Sequence, residues 1–319
     1  AWEQRWFQQQ NSSYGLMQQV AWGISQRLIT LFSQQKIKKI AVCCGQGNNA
    51  GDGYLVAKYL KQAGFSVDIY AVELGNSKDL ASAVQEAQQA GLQPYSHFDF
   101  QSECEVYIDA LFGIGLNRQL DFDWQNVIQT INQQTGLKIS IDIPSGLDAN
   151  TGQPLPVAIK ADYTFTGLGL KAGLFTGQGK EYAGKIELIS AIPTDTELQP
   201  IACLSSHQIQ LPKREAFGHK GSYGHVLVVG GHADMGGAVI MAAEAAFAAG
   251  AGKVTIVCDA KHHTAILSRA PNIMLRDINL LTQEQRQALI QQVDAVCFGM
   301  GLGRDSWSEQ QLSLIHISD

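Results

Sequence analysis

The residues best suited to chemistry lie between Gly45 and Gly53, directly after the apolar run from Lys39 to Cys44. Glycines in such a turn allow the backbone to approach a ligand closely, and the first amides of a following helix are free to bind phosphate. Asn48, Asn49 and Asp52 add oriented donors and oxygen acceptors that a phosphate loop alone does not need. The segment therefore predicts a ligand site, although a plain strand-to-helix turn explains the glycines equally well.

Two further turns in the same half of the chain each carry an acid at the end of an apolar run. Asp109 precedes a glycine-containing turn, and Asp142 precedes a proline-fixed turn that presents Ser145. A buried carboxylate is costly unless it is paired, hydrogen-bonded or bound to a metal. The three turns together favour a functional site over three structural turns.

Some of these side chains also form an all-oxygen set, made of Asn49, Asp109 and Ser145. One carboxylate with neutral oxygens suits a hard, weakly charged cation better than zinc. A hydrogen-bond network without an ion explains the same residues equally well, and the residue types alone leave both interpretations open.

Short β-rich runs alternate with helical stretches along the first half of the chain, and they predict the strands and helices that position these side chains. Such alternation predicts a parallel sheet with helices on both faces and a ligand beyond the carboxyl ends of the strands. Apolar residues from Met17 to Phe32 recur at helical spacing and predict one buried helix face before the sheet. We expect strands at 40–44, 66–72, 106–111, 138–143, 162–166 and 185–189, and helices at 54–63, 79–90 and 124–132.

A second α/β pattern begins at Gly224, with strands at 225–229, 253–258 and 295–298, a turn at 230–237 and an alanine-rich helix at 238–249. Prolines punctuate the poorly periodic connector before it. We therefore expect a first domain at 1–192, a linker at 193–212, a second domain at 213–311 and a tail at 312–319. The tail resembles a translated sequencing adapter and is not expected to be native sequence.

Composition excludes several classes of function. The formal net charge of −6 argues against a nonspecific binder of nucleic acid or of anionic membranes. The six cysteines form no CxxC pair and have no zinc spacing, which favours buried free thiols in a reducing compartment. No apolar run is long enough to span a bilayer. We expect a cytoplasmic protein that binds neither nucleic acid nor membrane.

Three linked motifs give the first half a specific resemblance. Gly47 to Gly53, Asp109 to Leu116 and Asp142 to Leu147 closely resemble the NAD(P)H-hydrate epimerase domain, in the right order and over about residues 1–192. Ala50 stands where that family usually has glycine. The resemblance implies a Rossmann-like three-layer α/β domain. It also implies interconversion of the R and S epimers of a hydrated nicotinamide that carries a hydroxyl group at C6.

The resemblance also implies roles for single residues. Asn49, Asp109 and Ser145 are implied to bind a potassium ion, and Asp142 to contact the hydrated ring. Lys171 resembles the family's active-site lysine, although a solvated loop lysine is the alternative. Inversion at C6 needs proton transfer, and the expected acid–base groups are Asp109, Asp142 and Lys171. For Asp109, two roles stay open, that of an ion ligand and that of a proton carrier. The implied dinucleotide-binding residues are Asn48, Asn49, Ala50, Gly51, Asp52, Gly113, Ile114, Gly115, Leu116, Asn117, Arg118 and Gln119.

The second half resembles the ADP- or ATP-dependent NAD(P)H-hydrate dehydratase, a ribokinase-like α/β domain. The resemblance rests on runs from His219 to His225, from Gly230 to Ala238 and from Phe298 to Gly303. Ala238 and Gly301 match its substrate-binding positions, and the full-length domain is implied to use ADP or ATP with Mg²⁺. Nothing after Gly303 matches the family's later phosphate loop or acidic Gly-Asp turn. We therefore expect a truncated domain without dehydratase activity.

The interpretation that follows is a bifunctional repair enzyme for nicotinamide nucleotides. Its partner is a small molecule, the NAD(P)H hydrate, and the resemblance implies a homo-oligomer. A noncatalytic nucleotide-binding module is one alternative, and a ribokinase-like small-molecule kinase is the alternative for the second half, because fold does not fix chemistry. The preference between NAD and NADP stays open.

Overall fold

The chain divides into two compact units, Ala1–Leu204 (unit 1) and Ser205–Asp319 (unit 2). The computed structural model describes residues 2–9, 11–72, 75–100, 103–204 and 213–312. The division falls within the segment 193–212 that the sequence predicts as a linker. Residues 205–212 of that segment and 313–319 of the predicted tail lie outside the described residues, and the predicted domain boundaries stay predictions.

Unit 1 is a parallel seven-stranded sheet in the order β3-β2-β1-β4-β5-β6-β7, with helices on both faces. This confirms the predicted α/β class. Its helices are α1 (Trp2–Gln8), α2 (Ser13–Gln35), α3 (Asn48–Gln62), α4 (Lys78–Gln89), α5 (Phe122–Gln133) and α6 (Gly179–Ala183). Its strands are β1 (Lys39–Cys44), β2 (Ser66–Ala71), β3 (Pro94–Tyr95), β4 (Val106–Ala110), β5 (Leu137–Ile141), β6 (Tyr163–Gly167) and β7 (Lys185–Ile189).

Alternate residues of a strand point to opposite faces of the sheet, and helices cover both faces. Side chains on both faces are therefore buried. In strand β1, Ile40 and Val42 belong to the core that includes residues of α2, α3 and α4. Ala41 and Cys43 belong to a second core, which includes residues of α5. The alternation explains why the strand is apolar throughout, and it leaves the carboxyl edge of the sheet as the place for a ligand.

Helix α3 begins at Asn48, directly after Gly47, so the predicted start at residue 54 was wrong. The glycines that suggested a longer loop let the helix lie close to the sheet. A Cβ atom on Gly53 would lie 2.5 Å from the Cβ of Ala110 and 3.0 Å from the Sγ of Cys44. Asn48, Asn49 and their neighbours are therefore helical residues at a strand-to-helix junction.

Strand β5 ends at Ile141, and Asp142 lies just beyond it, whereas the sequence placed Asp142 inside the strand. Its backbone has a φ of 69°, a conformation that is uncommon for a residue with a side chain. The Asp142 amide donates to the carbonyl oxygen of Phe165 over 2.7 Å, which ties the bend to strand β6. The chain thus leaves the sheet at the acid itself.

Unit 2 contains a parallel four-stranded sheet in the order β10-β9-β8-β11. Its elements are β8 (His225–Gly230), α7 (Gly236–Ala248), β9 (Lys253–Cys258), α8 (His263–Arg269), β10 (Met274–Asp277), α9 (Gln283–Gln291), β11 (Ala295–Met300) and α10 (Ser306–Leu312). The sequence predicted β8, α7, β9 and β11 but not β10, α8, α9 or α10. Within the described ranges, no helix has the length and apolar character needed to cross a membrane.

Candidate active site

A cleft of about 630 Å³ opens at the carboxyl edge of the unit 1 sheet. Segments that follow β1, β2, β4, β5 and β6 line it, and helices α1 and α2 contribute further wall residues. The volume lies within the range typical of small-molecule sites. A ligand in this cleft would lie where parallel α/β sheets usually bind one.

Asp142 and Lys171 form an ion pair at the end of the cleft nearest to strand β6. The Nζ of Lys171 lies 2.5 Å from the Oδ1 of Asp142, and both side chains are largely buried. The same Nζ donates to the Oγ1 of Thr166 over 2.9 Å and to the carbonyl oxygen of Gly167 over 2.8 Å. Lys171 is therefore fixed by three oxygens, and the interpretation as a free loop lysine does not describe it.

Asp52 is a second carboxyl group in the cleft, and its surroundings differ from those of Asp142. It lies in the second turn of α3, and in the part of the chain that is described it has no hydrogen bond or ion pair. Burial raises the pKa of Asp52 well above its usual range, the negative charges of Asp142 and Glu3 raise it further, and Lys171 opposes them. The cleft thus holds one carboxyl group that is paired with a lysine and one carboxyl group whose pKa is raised by burial.

Asp109 lies beneath the cleft, at 1% exposure, and does not line it. Oδ1 accepts from the Ser145 hydroxyl over 2.5 Å and the Leu111 amide over 3.2 Å, and Oδ2 accepts from the Ser140 hydroxyl over 2.7 Å and the Ser145 amide over 2.8 Å. Burial raises the pKa of Asp109, and these hydrogen bonds oppose the rise. The four donors compensate the buried carboxylate and tie β4, β5 and the turn after β5 together.

Asn49 and Ser145 meet at the backbone of Phe112, which follows strand β4. The Asn49 Nδ2 donates to the carbonyl oxygen of Phe112 over 2.9 Å, and the Phe112 amide donates to the Ser145 Oγ over 2.8 Å. The Oδ1 of Asn49 is buried, and nothing among the described residues donates to it. A buried amide oxygen without a donor is the kind of ligand that a hard cation prefers. The structure thus brings together the three residues implied to bind potassium.

The predicted dinucleotide-binding residues fall into two groups. Gly113 lies between two of the functional side chains, since a Cβ atom there would lie 3.4 Å from both the Asn49 Cβ and the Asp142 Oδ2. Ala50, Gly51 and Gln119 do not line the cleft, and the first two are buried within α3. The predicted residues that line the cleft are Asn48, Asn49, Asp52, Gly113, Ile114, Gly115, Leu116, Asn117, Arg118 and Asp142.

The residues of the cleft wall that sequence reasoning missed include Glu3, Phe7 and Asp79. Glu3 and Phe7 belong to the seven-residue helix α1, and no periodic pattern of apolar residues in the sequence predicts this helix. Asp79 lies in the first turn of α4, where an acid is common for reasons of helix stability alone. Only the folded chain places these residues beside the glycine-rich junction.

In unit 2, Ala238 and Gly301 are neighbours. A Cβ atom on Gly301 would lie 3.1 Å from the Ala238 Cβ and 2.3 Å from the carbonyl oxygen of Met235. Gly301 also has a φ of 63°, which favours glycine. The two predicted substrate-binding positions therefore lie together near the start of helix α7.

Comparison with known proteins agrees with this two-part organisation. Residues 13–173 match the family described as YjeF-related protein N-terminus, and residues 226–318 match NAD(P)H-hydrate dehydratase. A bifunctional NAD(P)H-hydrate repair enzyme of Coxiella burnetii is 34% identical, over 88% of this chain and 59% of its own length. The bifunctional NAD(P)H-hydrate repair enzyme of Vibrio cholerae is 36% identical, over 82% of this chain and 54% of its own length.

The chain thus spans little more than half the length of these curated relatives. The two matches follow each other in the order that the sequence motifs predicted. Because the first match alone covers half of the chain, the chain belongs to the YjeF-related N-terminal family, and the resemblance to bifunctional NAD(P)H-hydrate repair enzymes is confirmed.

Proposed function

We propose that unit 1 interconverts the R and S epimers of NAD(P)H hydrate. The observation that carries this proposal is the pair of unlike carboxyl groups in the cleft, Asp142 bound to Lys171 and Asp52 held towards its protonated form. A carboxyl group with a raised pKa can act as an acid, and a second carboxyl group in the same cleft can act as the base. The names of the relatives supply the substrate class.

Inversion at C6 can proceed by opening and reclosing of the N1–C6 bond or by departure of the hydroxyl group, and we propose that the hydroxyl group leaves C6 and returns from the other face. The ring nitrogen N1 pushes its electron pair towards C6, the C6–O bond breaks, and an acid protonates the departing oxygen to give water. Water then adds to the opposite face of the N1=C6 bond, and a base takes its extra proton. No oxidant or reductant is needed, and the protons balance.

We assign Asp52 as the acid and the Asp142 carboxylate as the base that receives the proton from the returning water. Lys171 holds the Asp142 side chain in place through the ion pair. Asp109 already accepts from four donors below the cleft, so we assign it to positioning the turns and not to proton transfer.

For potassium, we propose Asn49, Asp109 and Ser145 as the ligands. The buried Oδ1 of Asn49 supports this choice, because it is an acceptor that the described residues leave without a donor. When bound, potassium would supply a positive charge beneath the turn that begins at Phe112 and hold that turn in place.

For unit 2, we propose that the neighbouring Ala238 and Gly301 contact the S hydrate, within a dehydration that uses ADP or ATP with Mg²⁺. The match to NAD(P)H-hydrate dehydratase supports this reading over a kinase. An assay of NADH formation from the S hydrate with ADP, run beside a phosphorylation assay on the full-length protein, separates the two. A cytoplasmic location and a homo-oligomer stay predictions.

The test of the epimerase is direct. Purified R and S hydrates of NADH are incubated separately with and without the protein, and the epimers are separated by chiral chromatography over time. We expect both samples to reach the same mixture faster with the protein. Equal rates with and without it would refute the assignment and favour a noncatalytic nucleotide-binding module.

A further inference from the structure

The cleft of unit 1 runs across the carboxyl ends of neighbouring strands. Its lining segments follow β2, β1, β4, β5 and β6, which are five consecutive strands in the sheet. At about 4.8 Å between neighbouring strands, the outer two lie about 19 Å apart. That is long enough for an extended dinucleotide, so the two halves of one substrate molecule would occupy different strand ends.

The chemistry of the cleft differs from one end to the other. The Asp142 and Lys171 pair lies beyond β5 and β6. Helix α3 starts beyond β1, one strand from the β2 end of the cleft, and no side chain caps its first amides at Gly47. Free amides at a helix start are suited to a phosphate group. With the diphosphate there and the reacting ring beside Asp142, the adenosine half points towards the end of β2.

Among the described residues that follow β2, Asp79 lines the cleft. It lies in the first turn of α4 and is partly buried. Its neighbour Ser77 caps the helix and also donates to the Oδ1 of Asn48 over 2.5 Å, which joins the start of α4 to the glycine-rich junction. In the described ranges, no hydrogen bond or ion pair engages the Asp79 carboxylate, so its oxygens can accept from a ligand.

The charges of the cleft favour a substrate with few phosphates. Arg118 and Lys171 are its lining cations, and the described part of the lining carries four acids, namely Glu3, Asp52, Asp79 and Asp142. Lys171 is already engaged by Asp142. Lys78, next to Asp79, is exposed and does not line the cleft. A phosphate near Asp79 would therefore meet a carboxylate without a compensating cation.

We propose that Asp79 accepts the 2′-hydroxyl group of the adenosine ribose and disfavours a 2′-phosphate, so that the site takes NADH hydrate in preference to NADPH hydrate. This inference rests on the proposed function and adds a specificity-determining residue to it. A carboxylate at the end of the second strand reads the same hydroxyl group in dinucleotide-binding sheets of this strand order.

The test compares kcat/KM for epimerisation of the two hydrates in the wild type, Asp79→Asn and Lys78→Gln. We expect the wild type to favour NADH hydrate by about tenfold or more, because a carboxylate repels the phosphate dianion. Asp79→Asn should remove most of this preference, mainly through KM, and Lys78→Gln should retain it. A wild type without preference, or a preference that Asp79→Asn leaves unchanged, would overturn the inference.

A binding measurement separates this inference from the proposed function. Titration calorimetry with NAD⁺ and NADP⁺ on the same three proteins reads the preference without turnover, and thermal melts show that each variant is folded. If neither hydrate is epimerised but NAD⁺ binds more tightly in an Asp79-dependent manner, the proposed function fails and the inference stands. If NAD⁺ and NADP⁺ bind equally, the inference fails whatever the epimerase assay shows.

Discussion

Asp142 combines an uncommon backbone conformation with an ion pair to Lys171, and both features direct its carboxylate into the cleft. We expect Asp142→Asn to lower the epimerisation rate by about 10²- to 10⁴-fold, the usual loss when a positioned acid or base is removed. Progress curves for the pure R hydrate measure it. Asp123→Asn is the matched control, since Asp123 is an exposed acid outside the cleft. Turnover unchanged in Asp142→Asn would remove Asp142 from the mechanism.

Asp52 should make both the activity and the stability of the protein fall as pH rises. As the acid, it must be protonated, so the rate should fall as pH rises through its raised pKa. Between the ordinary pKa and the raised one, the folded state binds more protons than the unfolded state, and Asp52 therefore costs more stability as pH rises. Asp52→Asn should lose activity, yet gain melting temperature relative to the wild type at the alkaline end of that window.

Melting temperatures can also contradict the prediction for Asp52. Melting temperatures of the two proteins from pH 5 to pH 9 give the difference that matters, because other groups titrate alike in both. A constant difference across this range, or a variant that melts lower at high pH, would show that Asp52 is not held towards its protonated form.

Asn49 provides a test of the ion that does not depend on activity. A cation that binds only the folded state stabilises it, by about 1.4 kcal/mol when its concentration is ten times the dissociation constant. We expect potassium to raise the melting temperature above that measured in choline chloride of equal ionic strength. Asn49→Ala should abolish this effect, whereas Asn48→Ala, a change at the exposed neighbour, should keep it. Equal melting in both salts would leave only the hydrogen-bond network.

The residue types in the sequence predicted some of the residues of the candidate site but not all of them. Asn49, Asp109 and Ser145 meet around Phe112 because each follows or ends a strand, and the carboxyl ends of parallel strands share one edge. Asp79 could not be foreseen, because an acid in the first turn of a helix has a sufficient local reason to be there. Their roles in catalysis and binding stay predictions.

At the scale of elements, the position of helix α3 depends on a residue without a side chain. Gly53→Val should destabilise unit 1 by about 1–3 kcal/mol, because the added atoms would overlap Ala110 and Cys44 and push the helix off the sheet. Chemical denaturation measures the loss. Gly115→Ala is the control, since a Cβ atom there meets nothing within 4 Å. A Gly53→Val protein as stable as the wild type would contradict the close packing.

Strands were easier to predict than helix ends for a physical reason. A strand buried on both faces is a short apolar run, as in β1, and such a run is visible without knowledge of its neighbours. The start of α3 was missed because its glycines suit a loop until Ala110 and Cys44 are seen beside them. Helix α9 has no buried residue, so it left no periodic pattern to detect.

At the scale of the whole molecule, the strand order was not available from the sequence. The apolar runs give strands in chain order, but the sheet places β1 between β2 and β4, and this arrangement sets the junction after β1 beside the turn after β4. Contacts between residues far apart in the chain decide that order. The division into two units was visible, because a proline-punctuated connector marks it in the sequence.

The described residues that line the cleft all belong to unit 1, so residues 1–204 alone should epimerise the hydrate at a rate within about twofold of the whole chain. A fragment that ends at residue 192 should bind the substrate more weakly. It lacks Asp195, which accepts from the Nε of Arg5 over 2.6 Å and holds helix α1, the source of Glu3 and Phe7 in the cleft wall. KM for NADH hydrate distinguishes the two fragments, and Asp195→Ala in the longer one should reproduce the defect of the shorter. Equal KM values in all three would show that helix α1 is not needed to bind the substrate.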